Sequence, residues 1–122
     1  MKKYIIDITG ERPISFSGVE IGRESSKRTM NQEAWIEIVA YYTETQEWVL
    51  VTTLFRPDLP PKQAAIISST PEEFVQTLYL PSKDENGMPD GSQYLSYMAK
   101  RLLASLRRLF TDIDAFDISE KI

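Results

Sequence analysis

Histidine and cysteine are both absent from the 122 residues of this chain. Losing histidine removes the side chain that most readily moves protons near neutral pH. Losing cysteine removes thiolate nucleophiles, disulfides and zinc sites built from Cys and His. Long apolar runs are missing as well. No stretch reaches the length of a membrane span, and Asp7 interrupts Tyr4-Ile5-Ile6 too early for the apolar core of a secretory signal. Phosphate-cradling, dinucleotide-binding and nucleophile-elbow glycine motifs do not occur either. The expectation is a cytoplasmic, non-enzymatic protein with no cofactor, no catalytic residue, no metal site and no membrane contact.

What is present is an ordinary globular mixture, 42% apolar and 26% charged, enough for one core in one domain over residues 1–122. The net charge of −4 is segregated along the chain. Residues 31–90 carry three bases and ten acids, residues 91–110 carry four bases and no acid, and residues 111–122 carry one base and four acids. Such a molecule has faces of opposite sign, able to steer a charged partner over a salt-screened range.

The first two thirds read as strands. Tyr4, Ile6 and Ile8 alternate with Ile5, Asp7 and Thr9, and a second strand runs from Ile14 to about Ile21. Its apolar phase slips between Phe16 and Val19, so a β-bulge is expected at Gly18. Ala34–Thr43 and Trp48–Phe55 form a hairpin around Glu44-Thr45-Gln46-Glu47, and Gln63–Ser69 suggests a fifth strand. Segments 22–33 and 81–91 are polar or rich in Pro and Gly and are expected as flexible loops, and the proline-rich 56–61 is expected as a loop.

Two helices follow. Thr70-Pro71-Glu72-Glu73 is a capping-box start for a short helix over 71–80. Asp90 with Gln93 suggests a second box opening a long amphipathic helix over 92–112, its stripe formed by Leu95, Met98, Leu102, Leu103, Leu106, Leu109, Phe110 and Ile113. Strands first and helices last predict an α+β domain: an antiparallel sheet of four or five strands over residues 3–69, with both helices packed on one face.

Three constellations are candidates for contact. Lys100, Arg101, Arg107 and Arg108 lie away from the apolar stripe, and positions 100, 104, 107, 108 and 111 share one side. They form a basic ridge for an acidic protein groove or for phosphates; the same pattern also fits a core helix with a solvated outer face. Asp112, Asp114 and Asp117 begin an acidic tail over 112–122, without the glycine or closing acid of a calcium loop. Trp35, Tyr41, Tyr42 and Trp48 cluster on neighbouring strands, but Glu33, Glu37, Glu44 and Glu47 around them would repel phosphates. The pairs Glu72/Glu73 and Glu37/Glu44 do not form an acid/base couple in sequence.

Phe16-Ser17-Gly18, Trp35-Ile36-Glu37, Tyr41-Tyr42-Thr43, Trp48-Val49-Leu50 and Thr70-Pro71-Glu72-Glu73 resemble the EXLDI family of small bacterial proteins. Asp114-Ala115-Phe116-Asp117-Ile118 approximates the naming Glu-x-Leu-Asp-Ile, with Asp for Glu and Phe for Leu. The resemblance implies a bacterial protein often carried on mobile elements, and it supplies no catalytic residue. Together these readings predict an inhibitor, antitoxin-like partner or accessory subunit acting by protein contact. Its contacts would be Trp35, Trp48, Lys100, Arg101, Arg107, Arg108, Asp114 and Asp117. A nucleic-acid-contacting regulator is the second reading and a carboxylate/metal hydrolase the third; a homodimer is also open.

Overall fold

A computed structural model describes residues 1–27 and 33–118. It is an α+β fold whose main sheet is antiparallel in the order β1 (Lys2–Ile6), β2 (Ile14–Ser25), β3 (Trp35–Thr43), β4 (Trp48–Arg56) and β5 (Leu59–Ser68). Helix α1 (Pro71–Leu78) follows. A small sheet of β6 (Tyr79–Lys83) and β7 (Pro89–Leu95) comes next, then helix α2 (Tyr97–Leu109) and a 3-10 turn at Asp114–Phe116.

Alternation along β3 and β4 divides the core in two. Ile38, Ala40, Trp48 and Leu50 point to one face and pack with Phe74, Val75 and Leu78 of α1 and with Ala99, Leu102, Leu103 and Leu106 of α2. Val39, Tyr41, Val49 and Val51 point to the other face, where Ile6, Tyr4, Ile8, Ile14 and Phe16 meet them. Among the described residues no helix covers that second face. The sheet curls instead, bringing the segment after β1 onto β5: Thr9 N–H donates to the Gln63 carbonyl (2.9 Å), and Gln63 donates from its backbone to Thr9 Oγ1 and from its side chain to the Asp7 carbonyl, both at 2.8 Å.

Helix α1 starts as its sequence dictates. The Thr70 hydroxyl accepts from Glu73 N–H (3.1 Å), and the Glu73 carboxylate accepts from Ser69 N–H (3.2 Å). The second helix does not start where expected. Ser96 is its N-cap, accepting from Ala99 N–H, whereas Asp90 accepts from both the hydroxyl and the N–H of Ser92 in a local turn. Those bonds, the hydroxyl's foremost, hold the Asp90 carboxyl below its ordinary range. Residues 93–95 pair with β6, so the helix spans 97–109 and not 92–112.

Other expectations are corrected similarly. The segment 81–91 is largely the β6–β7 hairpin, and 22–25 is the end of β2; residues 28–32 of the expected loop lie outside the described residues, as do 119–122 of the tail. The bulge in β2 falls between Glu20 and Gly22, while Gly18 stays in register between Lys2 and Thr43. Segment 56–61 is a tight turn at 57–58, with Asp58 at φ 58°, followed directly by β5. Pro60 and Pro61 are tolerated because β5 is an edge strand and its register with β4 breaks between Leu59 and Lys62, where neither proline has a ladder partner. Leu109 was placed on the apolar stripe but is 61% exposed, on the flank of a buried face centred on Ala99, Leu103, Leu106 and Phe110.

Candidate functional site: a basic groove beside the second helix

The wall of α2 turned toward β7 carries the residues that share one side in the sequence. Lys100, Ala104, Arg107 and Arg108, with Thr111 beyond the helix end, line a groove of about 1000 Å³. Gln93, Tyr94 and Leu95 of β7 form the opposite wall; Tyr79, Phe116 and Ile118 complete the lining. Local chemistry builds each side. Helical spacing stacks Lys100, Ala104 and Arg107 along α2, with the small Ala104 keeping the middle open. Cross-strand pairing of Tyr79 with Leu95 fixes the hairpin against the helix N-terminus. Phe116 is fully buried and anchors the following segment against Trp48 and Phe110 (ring centroids 5.4 and 5.9 Å).

The electrostatics of the groove are one-sided. Arg107 Nη2 lies 3.4 Å from Asp117, with both side chains about half exposed, and Arg108 donates to the Ser105 hydroxyl at 3.4 Å. An exposed pair of this kind contributes about 0–1 kcal/mol, so an incoming carboxylate can replace Asp117 at little cost. The arrangement can hold anionic groups beside the apolar lining of Leu95, Tyr79 and Ala104. Arginines bind carboxylates and phosphates through planar forks, while the rings supply contact area.

The remaining expected contact residues do not gather here. Arg101 projects to another side, its Nε 3.4 Å from Glu24 and its guanidinium 5.8 Å from the Tyr97 ring centroid. Asp114 is exposed in the 3-10 turn. The two tryptophans point to opposite faces of the sheet. Trp48 is 4% exposed under the helices, among Tyr42, Phe74, Phe110 and Phe116, which corrects its assignment as a surface contact. Trp35 stays half-buried on the other face, stacked on Phe55 at 4.9 Å beneath the Lys27 ammonium. Tyr41 belongs to that second face too, so the supposed aromatic cluster is two clusters.

Glu37 has a partner that sequence did not suggest: Arg23 bonds it at 2.8 Å and Glu20 at 2.6 Å across the surface of β2 and β3. The groove's second wall was also missed, because Gln93, Tyr94 and Leu95 read as helical. The alternation of Tyr94 with Leu95 and Gln93 opposite Leu80, Tyr79 and Pro81 was the available signal. Among the described residues no three acidic side chains gather as a metal-ion site, and no helix is long and apolar enough to cross a membrane. Comparison with family models, with curated proteins and with solved structures finds no match for this chain.

Proposed function

We propose that this chain is a non-enzymatic interaction protein that holds an acidic segment of a protein partner in the groove between α2 and β7. The observation that carries this reading is the convergence of Lys100, Arg107 and Arg108 on one open groove with an apolar lining. Anchoring arginines and aromatic rings beside a concave apolar surface are what a peptide-binding site uses. The Asp117 carboxylate beside Arg107 supports it, being an internal example of the group the groove would accept. Asp114, Trp35 and Arg101 lie outside the groove. An inhibitor, antitoxin-like partner or accessory subunit would act in this way. It would work in the cytoplasm of a bacterium, in keeping with the EXLDI resemblance, and would need no cofactor.

A nucleic-acid contact is the second reading, favoured by the same cations and by the exposed ring of Tyr94. The net charge of −4 and the acids at 112, 114 and 117 oppose it. Fluorescence anisotropy of the full chain separates the two, using a labelled Glu/Asp-rich peptide and a labelled single-stranded oligonucleotide. The expected result is peptide binding that falls about tenfold or more in Arg107→Glu/Arg108→Glu, equivalent to about 1.4 kcal/mol or more. Tighter, steeply salt-dependent binding of the oligonucleotide, lost in that variant, would move the assignment to nucleic acid. Binding of neither probe sinks the groove as an anion-holding site.

A further inference from the structure

We infer that the ligand of the groove lies there as an antiparallel strand added to the free edge of β7, bonded to the backbone of Gln93 and Leu95. This rests on the groove reading above and gives its ligand a conformation and a pattern. Gln93, Tyr94 and Leu95 are consecutive, and all three line the groove. Successive side chains of a strand point to opposite faces, so three in a row meet one space only at the strand's edge.

The β6–β7 ladder fixes which backbone groups are open along that edge. In an antiparallel pair, opposed residues alternately exchange both their bonds or turn both groups outward. Tyr79 stands opposite Leu95, yet its N–H donates to the Gln76 carbonyl at the end of α1. Pro81 stands opposite Gln93 and has no N–H to give. Leu80 and Tyr94 are therefore the pair that exchanges both bonds, and Gln93 and Leu95 turn theirs outward. Among the described residues β7 pairs with no other strand, and no other backbone group bonds these two. The same facts guard the far edge of the hairpin. Along β6 one outward N–H is spent and the next is absent, a common protection of an exposed strand. At 93–95 β7 has no such guard, and Gln93 and Tyr94 are exposed.

Charge names the occupant. Side chains paired across neighbouring strands share a face. Leu95 and Tyr79 pack against the core to which α2 contributes. A ligand residue opposite Gln93 or Leu95 therefore points its side chain to the α2 wall of Lys100, Arg107 and Arg108, and is acidic. The residue between shares the face of Tyr94 and Leu80, which are 49% and 42% exposed, and is apolar. The partner thus offers an extended segment with a carboxylate at every second residue.

Fluorescence anisotropy of the full chain with a labelled Glu-Val-Glu-Val-Glu peptide tests this. In the antiparallel pairing, the amides bonded to β7 belong to the glutamates. N-methylation at the glutamates is expected to weaken binding about tenfold, and N-methylation at the valines to leave it within about twofold. Gln93→Pro removes one outward N–H without touching the β6 ladder and should also lose about tenfold, whereas Gln93→Ala should bind like the wild type. Two methylated peptides that bind alike, loss confined to the valine set, or full binding by Gln93→Pro overturns the added strand and leaves the groove reading intact. An unmethylated peptide that does not bind removes the groove reading and the strand with it. Should Gln93→Pro disturb the hairpin, the methylated pair still decides on the wild-type protein.

Discussion

A Cβ added to Gly22 would stand 2.5 Å from Leu102 Cδ1, so glycine in β2 is what lets α2 settle on the sheet. Leu102 is fully buried, and the bulge between Glu20 and Gly22 aims the strand at this contact. Helix and strand approach because one side chain is missing.

Gly22→Ala is expected to destabilise the protein by about 1–3 kcal/mol, the usual range for overpacking a filled core. The obstructing atom is a side-chain methyl, so the same substitution in a Leu102→Ala background should cost measurably less. Urea unfolding of the four chains of this cycle gives the coupling. Gly18→Ala should behave differently. Its Cβ would meet the Tyr42 carbonyl oxygen at 2.5 Å, and no side-chain truncation relieves a clash with backbone.

Each helix has one hydroxyl at its N-cap, Thr70 for α1 and Ser96 for α2. Thr70→Ala and Ser96→Ala are each expected to cost about 1 kcal/mol in chemical denaturation. The double variant should show the sum, because the caps share no partner. Asp90→Ala is expected to leave α2 intact, since its carboxylate bonds Ser92 outside the helix. A large helical loss by circular dichroism in Asp90→Ala would restore the earlier start of that helix.

Burial raises the Tyr41 phenol above its ordinary value of 10, helped by Glu20, while Arg23 opposes. The folded state thus keeps this proton more tightly than the unfolded chain. The corresponding stability is fully present below the unfolded value and is lost as pH climbs through the folded one. Stability measured by denaturant from pH 9 upward should therefore fall less steeply in Tyr41→Phe than in the wild type. Equal slopes would show that Tyr41 titrates alike in both states.

Legibility from sequence followed the range of the interactions involved. The five strands, the hairpin at 44–47 and the capped start of α1 rest on neighbours within a few residues, and each stands close to its expected place. The side of α2 shared by Lys100, Arg107 and Arg108 was legible for the same reason. The β6–β7 hairpin was not. Pro81, Pro89 and Gly91 read as breakers, yet a two-stranded sheet has an open edge on each strand where proline costs nothing. The apolar period that extended α2 back to Leu95 is in fact satisfied across the hairpin, by Tyr79.

The order of residues alone settled the alternation of faces in the central strands, the capped start of α1 and the sign of charge on each segment, because these depend on bond geometry and near neighbours. Only the folded chain decided which tryptophan is covered, which cations share a groove, and which part of the β5 edge is covered. Those outcomes depend on contacts between residues far apart in the chain: α2 closing over Gly22, and Thr9 crossing to Gln63. No local pattern encodes them, since the same alternation of side chains fits either face of a sheet until a second element covers one of them.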